Sequence, residues 1–464
     1  MDSPTPSIEA AKTEAPAADS PEGQSRLNVA KLSYMWRALA HRNFRLFFYG
    51  QSISLVGTWM TRIATGWLVY RLTGSAFLLG VVGFAGQFPS FVLAPFVGVF
   101  IDRWNRHRLL IVTQVLAMLQ ALAMAVLTLG GWITIWQVVA LSVLQGLVNA
   151  FDMPTRQALL GELIDNKEDL SNAIALNSSM VNGARLLGPS IGGVIIAVAG
   201  EGWCFMVDAV SYIAVLASLV AIKVTPRVRD RSREKHILAE LRDGWSYVSQ
   251  SRTIRSILLL LALVSLVGMP YTVLMPVMAN EVLGGGPNTL GLMMASTGVG
   301  ALIGALFLAA RKTVLGLGKY IPLAAGLFGS GLVLFALSRS LWLSLPLLVI
   351  TGFGFINQLA VSNTLLQTIV DEDKRGRVMS FYVMAFMGTA PFGSLLAGTV
   401  AEWWGAPTTL IVGGVGCVLG ALWFFRLLPE LRDEIRPIYR KKGILPEIAT
   451  GLQEATELPV PPES

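Results

Sequence analysis

From Leu46 onward the chain alternates apolar runs of about twenty residues with short polar connectors, a length that matches the hydrocarbon thickness of a bilayer. Such runs cover residues 46–70, 77–100, 109–129, 134–154, 173–199, 203–223, 256–279, 289–310, 320–338, 342–364, 378–401 and 408–428. In lipid every backbone polar group needs a partner within its own segment, so each run is predicted to be an α-helix. The expected fold is an all-α polytopic membrane protein with twelve transmembrane helices. Polar residues inside the runs recur at helical spacing. Gln51, Thr58, Arg62 and Thr65 form a stripe on the first run, and Gln145, Asn149, Asp152 and Arg156 form one on the fourth. Ser178, Asn182, Arg185 and Pro189 do so on the fifth, and Asn357, Thr364 and Thr368 on the tenth. Lipid cannot satisfy such faces. Gln51, Thr58, Arg62, Thr65, Gln145, Asn149, Asn182, Arg185 and Asn357 are therefore the candidate lining of a central cavity.

The fifth run carries a second pattern. Ala184, Gly188 and Gly192 recur every fourth residue, and small residues at that spacing let two helices approach closely in a membrane. Pro189 removes a backbone donor beside this seam, and Gly193 extends it. Leucine at Gly188 is expected to force the helices apart, with alanine much milder.

The 464 residues are 53% hydrophobic and only 14% charged, against roughly 25% charged in soluble domains. The net charge of +7 does not point to nucleic acid, because its distribution follows the positive-inside rule. With the amino terminus in the cytoplasm, only Arg71 and Arg339 fall in outer loops, and Arg62 and Arg185 fall within runs. Both termini are then expected in the cytoplasm. Cys204 and Cys417 form no disulfide or metal framework, and His41, His107 and His236 are scattered, so no metal site or cofactor is expected. The chain lacks a phosphate-binding glycine loop followed by Lys-Ser/Thr, and it lacks a nucleophile–base set. An enzyme and an ATP-driven pump are thereby disfavoured, and an ion gradient, most simply of protons, is the expected energy source. Asp152 and Asp208 are the candidate proton carriers. Asp152 is one turn from Arg156 and can pair with it. Asp208 is expected near the outer end of the sixth run, within reach of water.

The runs divide into two sets of six. Residues 1–30 read as a disordered cytoplasmic tail, 31–225 as an N-terminal bundle, and 226–255 as a cytoplasmic central loop with helical character at 237–247. Residues 256–430 read as a C-terminal bundle and 431–464 as a mobile cytoplasmic tail. Alternation of Met35, Trp36 and Leu39 with Lys31, Arg37 and Arg42 predicts a short amphipathic helix on the membrane surface. Ser54-Leu-Val-Gly57 recurs as Ser265-Leu-Val-Gly268 and Leu79-Gly80 as Leu290-Gly291, both at an offset of about 211. Gly146, Asp165 and Gly192 pair with Gly352, Asp371 and Gly398 at about 206. Two pseudo-symmetric six-helix bundles suit a transporter with its site between them.

The loop Gly98-Val-Phe-Ile-Asp102-Arg103-Trp-Asn105-Arg106 resembles the signature of the major facilitator superfamily between its second and third helices. Asn105 stands where that signature has a glycine, a departure that asparagine's tolerance of left-handed turns makes mild. The resemblance implies that Gly98, Asp102, Arg103 and Arg106 latch the two halves on the cytoplasmic side. The stretches Asn149 to Gln157, Asn172 to Asn177, Gly188-Pro189, Arg42 to Arg45 and Gly57 to Met60 are similar to the enterobactin-exporter and macrolide-efflux branch. Within that superfamily the Gly-Pro element of the fifth helix goes with export. Many of its drug exporters carry an acid in the first helix, where this chain has Arg62.

The resemblance thus implies a proton-driven exporter that moves a siderophore-like or amphipathic drug-like molecule across the bacterial inner membrane by alternating access. It would work as a monomer in the lipid bilayer. Uptake of a solute or flipping of a lysolipid is the alternative, and a non-transporting receptor or platform fits less well. An unpaired Arg62 in the cavity would favour anionic or polyphenolic cargo.

Overall fold

A computed structural model of the chain describes residues 36–223 and 237–442, except 165 and 312. The tail at 1–30, the basic stretch 224–236, Asp165 of the repeat and residues 443–464 lie outside the described residues. Thirteen helices are described: α1 (Arg42–Thr73), α2 (Ala76–Arg103), α3 (Arg106–Leu129), α4 (Ile135–Leu160), α5 (Lys167–Ala199), α6 (Glu201–Ala221), α7 (Ile237–Gln250), α8 (Arg252–Val282), α9 (Pro287–Ala309), α10 (Leu317–Leu337), α11 (Leu341–Ile369), α12 (Glu372–Trp404) and α13 (Ala406–Lys441). Eleven are long and apolar enough to cross a membrane. The twelfth span is α1, whose 32 residues suffice in length, while Gln51, Thr58, Thr61, Arg62 and Thr65 dilute its apolar character. Its polar stripe is what sets it apart.

Helix ends follow local rules. Ser75 accepts a hydrogen bond from the Leu78 amide to start α2, and Asn166 accepts one from Glu168 to start α5. Asn105 is not left-handed: its φ is −69°, and its side chain accepts the Arg108 amide at 3.0 Å as the cap of α3. A short side-chain acceptor is useful at that position, where a glycine offers none. The spans α8 and α12 are not uniform. Wider π turns at Val264–Gly268, Met278–Val282 and Met384–Gly388 interrupt them.

In one half α1 packs on α5 and α6, α2 on α4, and α3 on α4 and α6. In the other α9 packs on α11, and α10 on α11 and α13. The halves meet chiefly through two crossings, α5 with α9 and α2 with α12. Both crossings are built on glycine pairs. A methyl group at Gly193 would lie 2.9 Å from the Cα of Gly291, and one at Gly80 would lie 2.9 Å from the Cα of Gly398. Gly80 and Gly291 are repeat mates in the sequence, so the two crossings are pseudo-symmetric copies of one contact.

Two segments differ from their sequence expectation. Of the expected surface helix before α1, Lys31 and Met35 lie outside the described residues, and the described part is a 3₁₀ turn, Arg37–Ala40, strapped to the first turns of α5. Arg37 pairs with Asp169 at 3.2 Å, His41 meets the same carboxylate at 3.0 Å, and the Ala38 amide donates to Asn172. At the other end α13 continues past Pro429 and Pro437 to Lys441, so the tail expected from 431 begins as helix. Leu431, Ile435 and Tyr439 are buried, and Lys442 donates to the carbonyls of Thr368 and Val370 at the end of α11.

Candidate functional site

A cavity of about 3510 Å³ lies between the halves. It opens on the face where α1 begins and α13 ends, past Trp104, Arg106, Glu162, Lys374 and Arg377. It ends blindly near Gly66, Leu79, Pro276 and Leu290. Beyond that apex the opposite face is sealed. Tyr70 donates to Glu281 and Asn280 of the other half at 3.0 and 3.1 Å, and the Ser75 hydroxyl and Phe77 amide both donate to Glu402 at 2.9 Å. The two glycine crossings lie within this closed region.

Of the expected lining, Thr58, Arg62, Thr65, Gln145, Asn149 and Arg185 face the cavity, together with Asp152, Pro189 and Asp208. Gln51, Asn182 and Asn357 do not. Gln51 is buried away from it, with its side-chain carbonyl unpartnered. Asn182 donates to the Ser178 carbonyl one turn back, and Asn357 donates to Phe353 while facing Gly304 of α9. A polar side chain on a helix can bond its own backbone or fill a helix–helix seam, and spacing alone does not separate those outcomes from a wet face.

The seam of α5 has two faces. Ala184 packs with Leu55, Val56 and Trp59 of α1, and Gly188 and Gly192 continue along the same helix. Gly193 and the Pro189 carbonyl turn instead toward α9. At the open mouth Arg106 donates to Glu162 at 2.8 Å within its own half. The surroundings of Gly98 and the side chains of Asp102 and Arg103 lie outside what the structure describes.

Asp208 departs from the expected interfacial position. It is 2% exposed, packed against Gly57 at the middle of α1, and accepts the Thr61 hydroxyl at 2.8 Å, with the Ser211 hydroxyl at 3.5 Å. Counting along α6 puts it two turns from the helix end, but α1 packs over that turn and covers all but the small part of it that reaches the cavity wall. Asp152 is also buried. It pairs with Arg156 and accepts from Gln114 at 2.6 Å and Thr113 at 3.0 Å. Its charge is therefore compensated, and its oxygens are engaged.

The two arginines of the spans converge. Arg62 of α1 and Arg185 of α5 each hold their guanidinium carbon 5.1 Å from the ring centre of Trp59. Such placement over an aromatic ring is a cation–π contact. Neither forms an ion pair with a described acid, and the Arg185 Nε is buried without a partner. Trp59, Thr61 and Gln114 were not marked by the polar stripes. The three-residue step from Trp59 to Arg62 was the available signal.

Among the described residues no group of three His, Cys, Asp or Glu side chains is arranged to hold a metal ion. The sequence signature of the family described as "Transmembrane secretion effector" matches residues 33–452. The staphyloferrin A transporter of Staphylococcus aureus is 28% identical over 393 residues, covering 84% of this chain and 97% of that protein. The multidrug efflux pump Tap of Mycolicibacterium fortuitum is 28% identical over 81% of this chain and 93% of its own. Macrolide efflux protein A of Streptococcus pyogenes is 24% identical over 78% and 91%. Among solved structures, a bacterial homologue of the lysosomal transporter Spinster superposes with a TM-score of 0.63 at 14% identity, covering 84% of this chain and 96% of that one. The nucleoside transporter NupG does so with a TM-score of 0.63 at 12% identity, covering 83% and 98%. At these identities the structural likeness carries the fold alone.

Proposed function

The chain belongs to the transmembrane secretion effector family of the major facilitator superfamily, and from that premise we propose that it is a proton-driven exporter of small organic molecules. As a multi-pass membrane protein of a transporter family it has a bilayer for its solvent and a small molecule for its substrate. The proposal adds direction, energy source and place. The observation that carries it is a cavity between the halves that opens on the face where α1 begins and α13 ends, while paired glycine crossings close the other face. By the positive-inside rule the open face is cytoplasmic, so this is the cargo-loading state of a monomer in the bacterial inner membrane. Rocking of the halves about α2–α12 and α5–α9 would close the Asp102–Arg108 loop toward the segment Asp371–Arg377 and release cargo outside. In that closed state Asp102 and its neighbours act as the latch. The related proteins named for siderophore, drug and macrolide transport support a small organic cargo.

Asp208 is the proton carrier in this reading. It is buried, lines the cavity beside Thr61, and forms no ion pair with a described cation to hold its charge. Asp152 is the weaker choice, because Arg156 compensates it whatever the state of the cavity.

Inside-out vesicles acidified within, and supplied with cytoplasmic extract, should accumulate cargo that mass spectrometry identifies against vesicles lacking the protein. Asp208→Asn should stop accumulation driven by the gradient while leaving membrane insertion and cargo exchange intact. Accumulation only in right-side-out vesicles would replace export by uptake, and full gradient-driven transport in Asp208→Asn would remove the acid from the mechanism.

A further inference from the structure

Trp59 is held from behind. Gly188 of α5 leaves so little room that a methyl group there would lie 2.5 Å from the Trp59 Cβ, so a larger residue there would displace Trp59. Arg62 and Arg185 converge on it from two helices, and their guanidinium carbons lie no farther apart than twice 5.1 Å. Both side chains line the cavity. The buried acids along this wall are engaged elsewhere: Asp208 with Thr61 and Ser211, Asp152 with Arg156 and Gln114. Two like charges gathered on one ring with no acid partner repel each other, and a low-dielectric cavity strengthens that repulsion. The arrangement is favourable when an anion arrives between them.

We propose that Arg62, Arg185 and Trp59 form a clamp for cargo bearing at least two oxyanion groups, one for each guanidinium, set against the indole. This rests on the exporter reading of the cavity and narrows its cargo. A guanidinium fork matches carboxylate and phosphate oxygens two at a time, which an ammonium does not. Preorganisation on the ring keeps the forks from collapsing onto the backbone. Cationic amphiphiles are disfavoured at this position, which separates the cargo from lipophilic amines.

The test uses the full-length protein in lipid nanodiscs, with citrate as a carboxylate probe, inorganic pyrophosphate as a phosphate probe and tetraethylammonium as a cation. Ligands that bind the folded state raise its thermal unfolding midpoint. Citrate or pyrophosphate should raise the midpoint and tetraethylammonium should not, and which anion acts tells carboxylate from phosphate. Arg62→Gln and Arg185→Gln should each weaken anion binding about tenfold or more, the range expected for one charged hydrogen-bonding partner. Arg62→Lys should recover part of the loss, because charge returns without the fork. No shift with either anion at millimolar concentration, an equal shift with tetraethylammonium, or wild-type anion binding in the double glutamine variant would each overturn the clamp. The wild-type comparison of anions with the cation decides the matter even where a variant fails to fold. Anion binding without any export would count against the exporter alone, and export without anion binding against the clamp alone.

Discussion

At Gly188 the α1–α5 seam has space for a hydrogen atom and little more. The neighbouring Trp59 Cβ and Val56 carbonyl would lie 2.5 and 2.9 Å from an added methyl group, whereas at Gly192 the nearest atom, the Met60 Cα, would be 3.3 Å away. Spacing alone does not distinguish these two glycines, and at Gly188 it expects alanine to be much milder than leucine. The contacts make them unequal. Gly188→Ala should destabilise the protein by about 1–3 kcal/mol, the usual cost of overpacking, with Gly192→Ala distinctly milder. Thermal unfolding of the two variants in one detergent checks the order; equal midpoints would show that α1 shifts freely to make room. Gly188→Leu should abolish transport as well, since Trp59 cannot keep its place beside the arginines.

Among the elements, α13 carries the main surprise. Its charged, proline-containing end suggested a mobile tail, yet Leu428, Leu431, Ile435 and Tyr439 recur at three- and four-residue steps and are buried. That period was present in the sequence, and Pro429 and Pro437 masked it. What holds the extension is tertiary: Glu434 accepts the Thr253 amide at 3.0 Å and the hydroxyls of Thr253 and Ser251 at 2.8 Å, while Glu430 pairs with Arg252. A carboxylate from α13 thus caps the start of α8 and meets the positive end of its dipole. Glu434→Ala should cost about 1 kcal/mol, as loss of a cap does, and should speed deuterium uptake over residues 431–442. Unchanged uptake would mean that the apolar contacts hold the extension unaided.

For the whole molecule the decisive feature is that one kind of contact, used twice, closes one face. Gly80 meets Gly398 and Gly193 meets Gly291 with backbones in touch, and the hydrogen bonds of Tyr70 and Glu402 lie beyond. A valine at Gly80 would face the Ser394 carbonyl at 2.7 Å. The cost, again about 1–3 kcal/mol, falls on the closed state alone and is enough to shift a two-state ratio about tenfold. Spin labels on the sealed-face ends of α1 and α8 should therefore report a longer distance in Gly80→Val, and Gly291→Val should act alike as its repeat mate. A distance distribution identical to wild type in both variants would show that these crossings are not the gate.

The all-helical fold and its twelve spans follow from apolar run length alone, because a bilayer demands internally bonded helices whatever their neighbours. Polar stripes likewise mark α1, α4 and α5 as helices that line the cavity, whereas Asn357, Thr364 and Thr368 of α11 do not line it. The sequence could not say which stripe residues reach water. Arg62 and Gln51 share a stripe, yet one enters the cavity and the other is buried outside it, since helix crossings decide what each turn meets. Asp208 looked interfacial by its distance from the helix end and became buried because α1 lies over it. Arg62 and Arg185 were each legible as a charge in a span, 123 positions apart along the chain. Their meeting on Trp59 was not, because it depends on how closely α5 approaches α1, and that approach is set by the contact at Gly188.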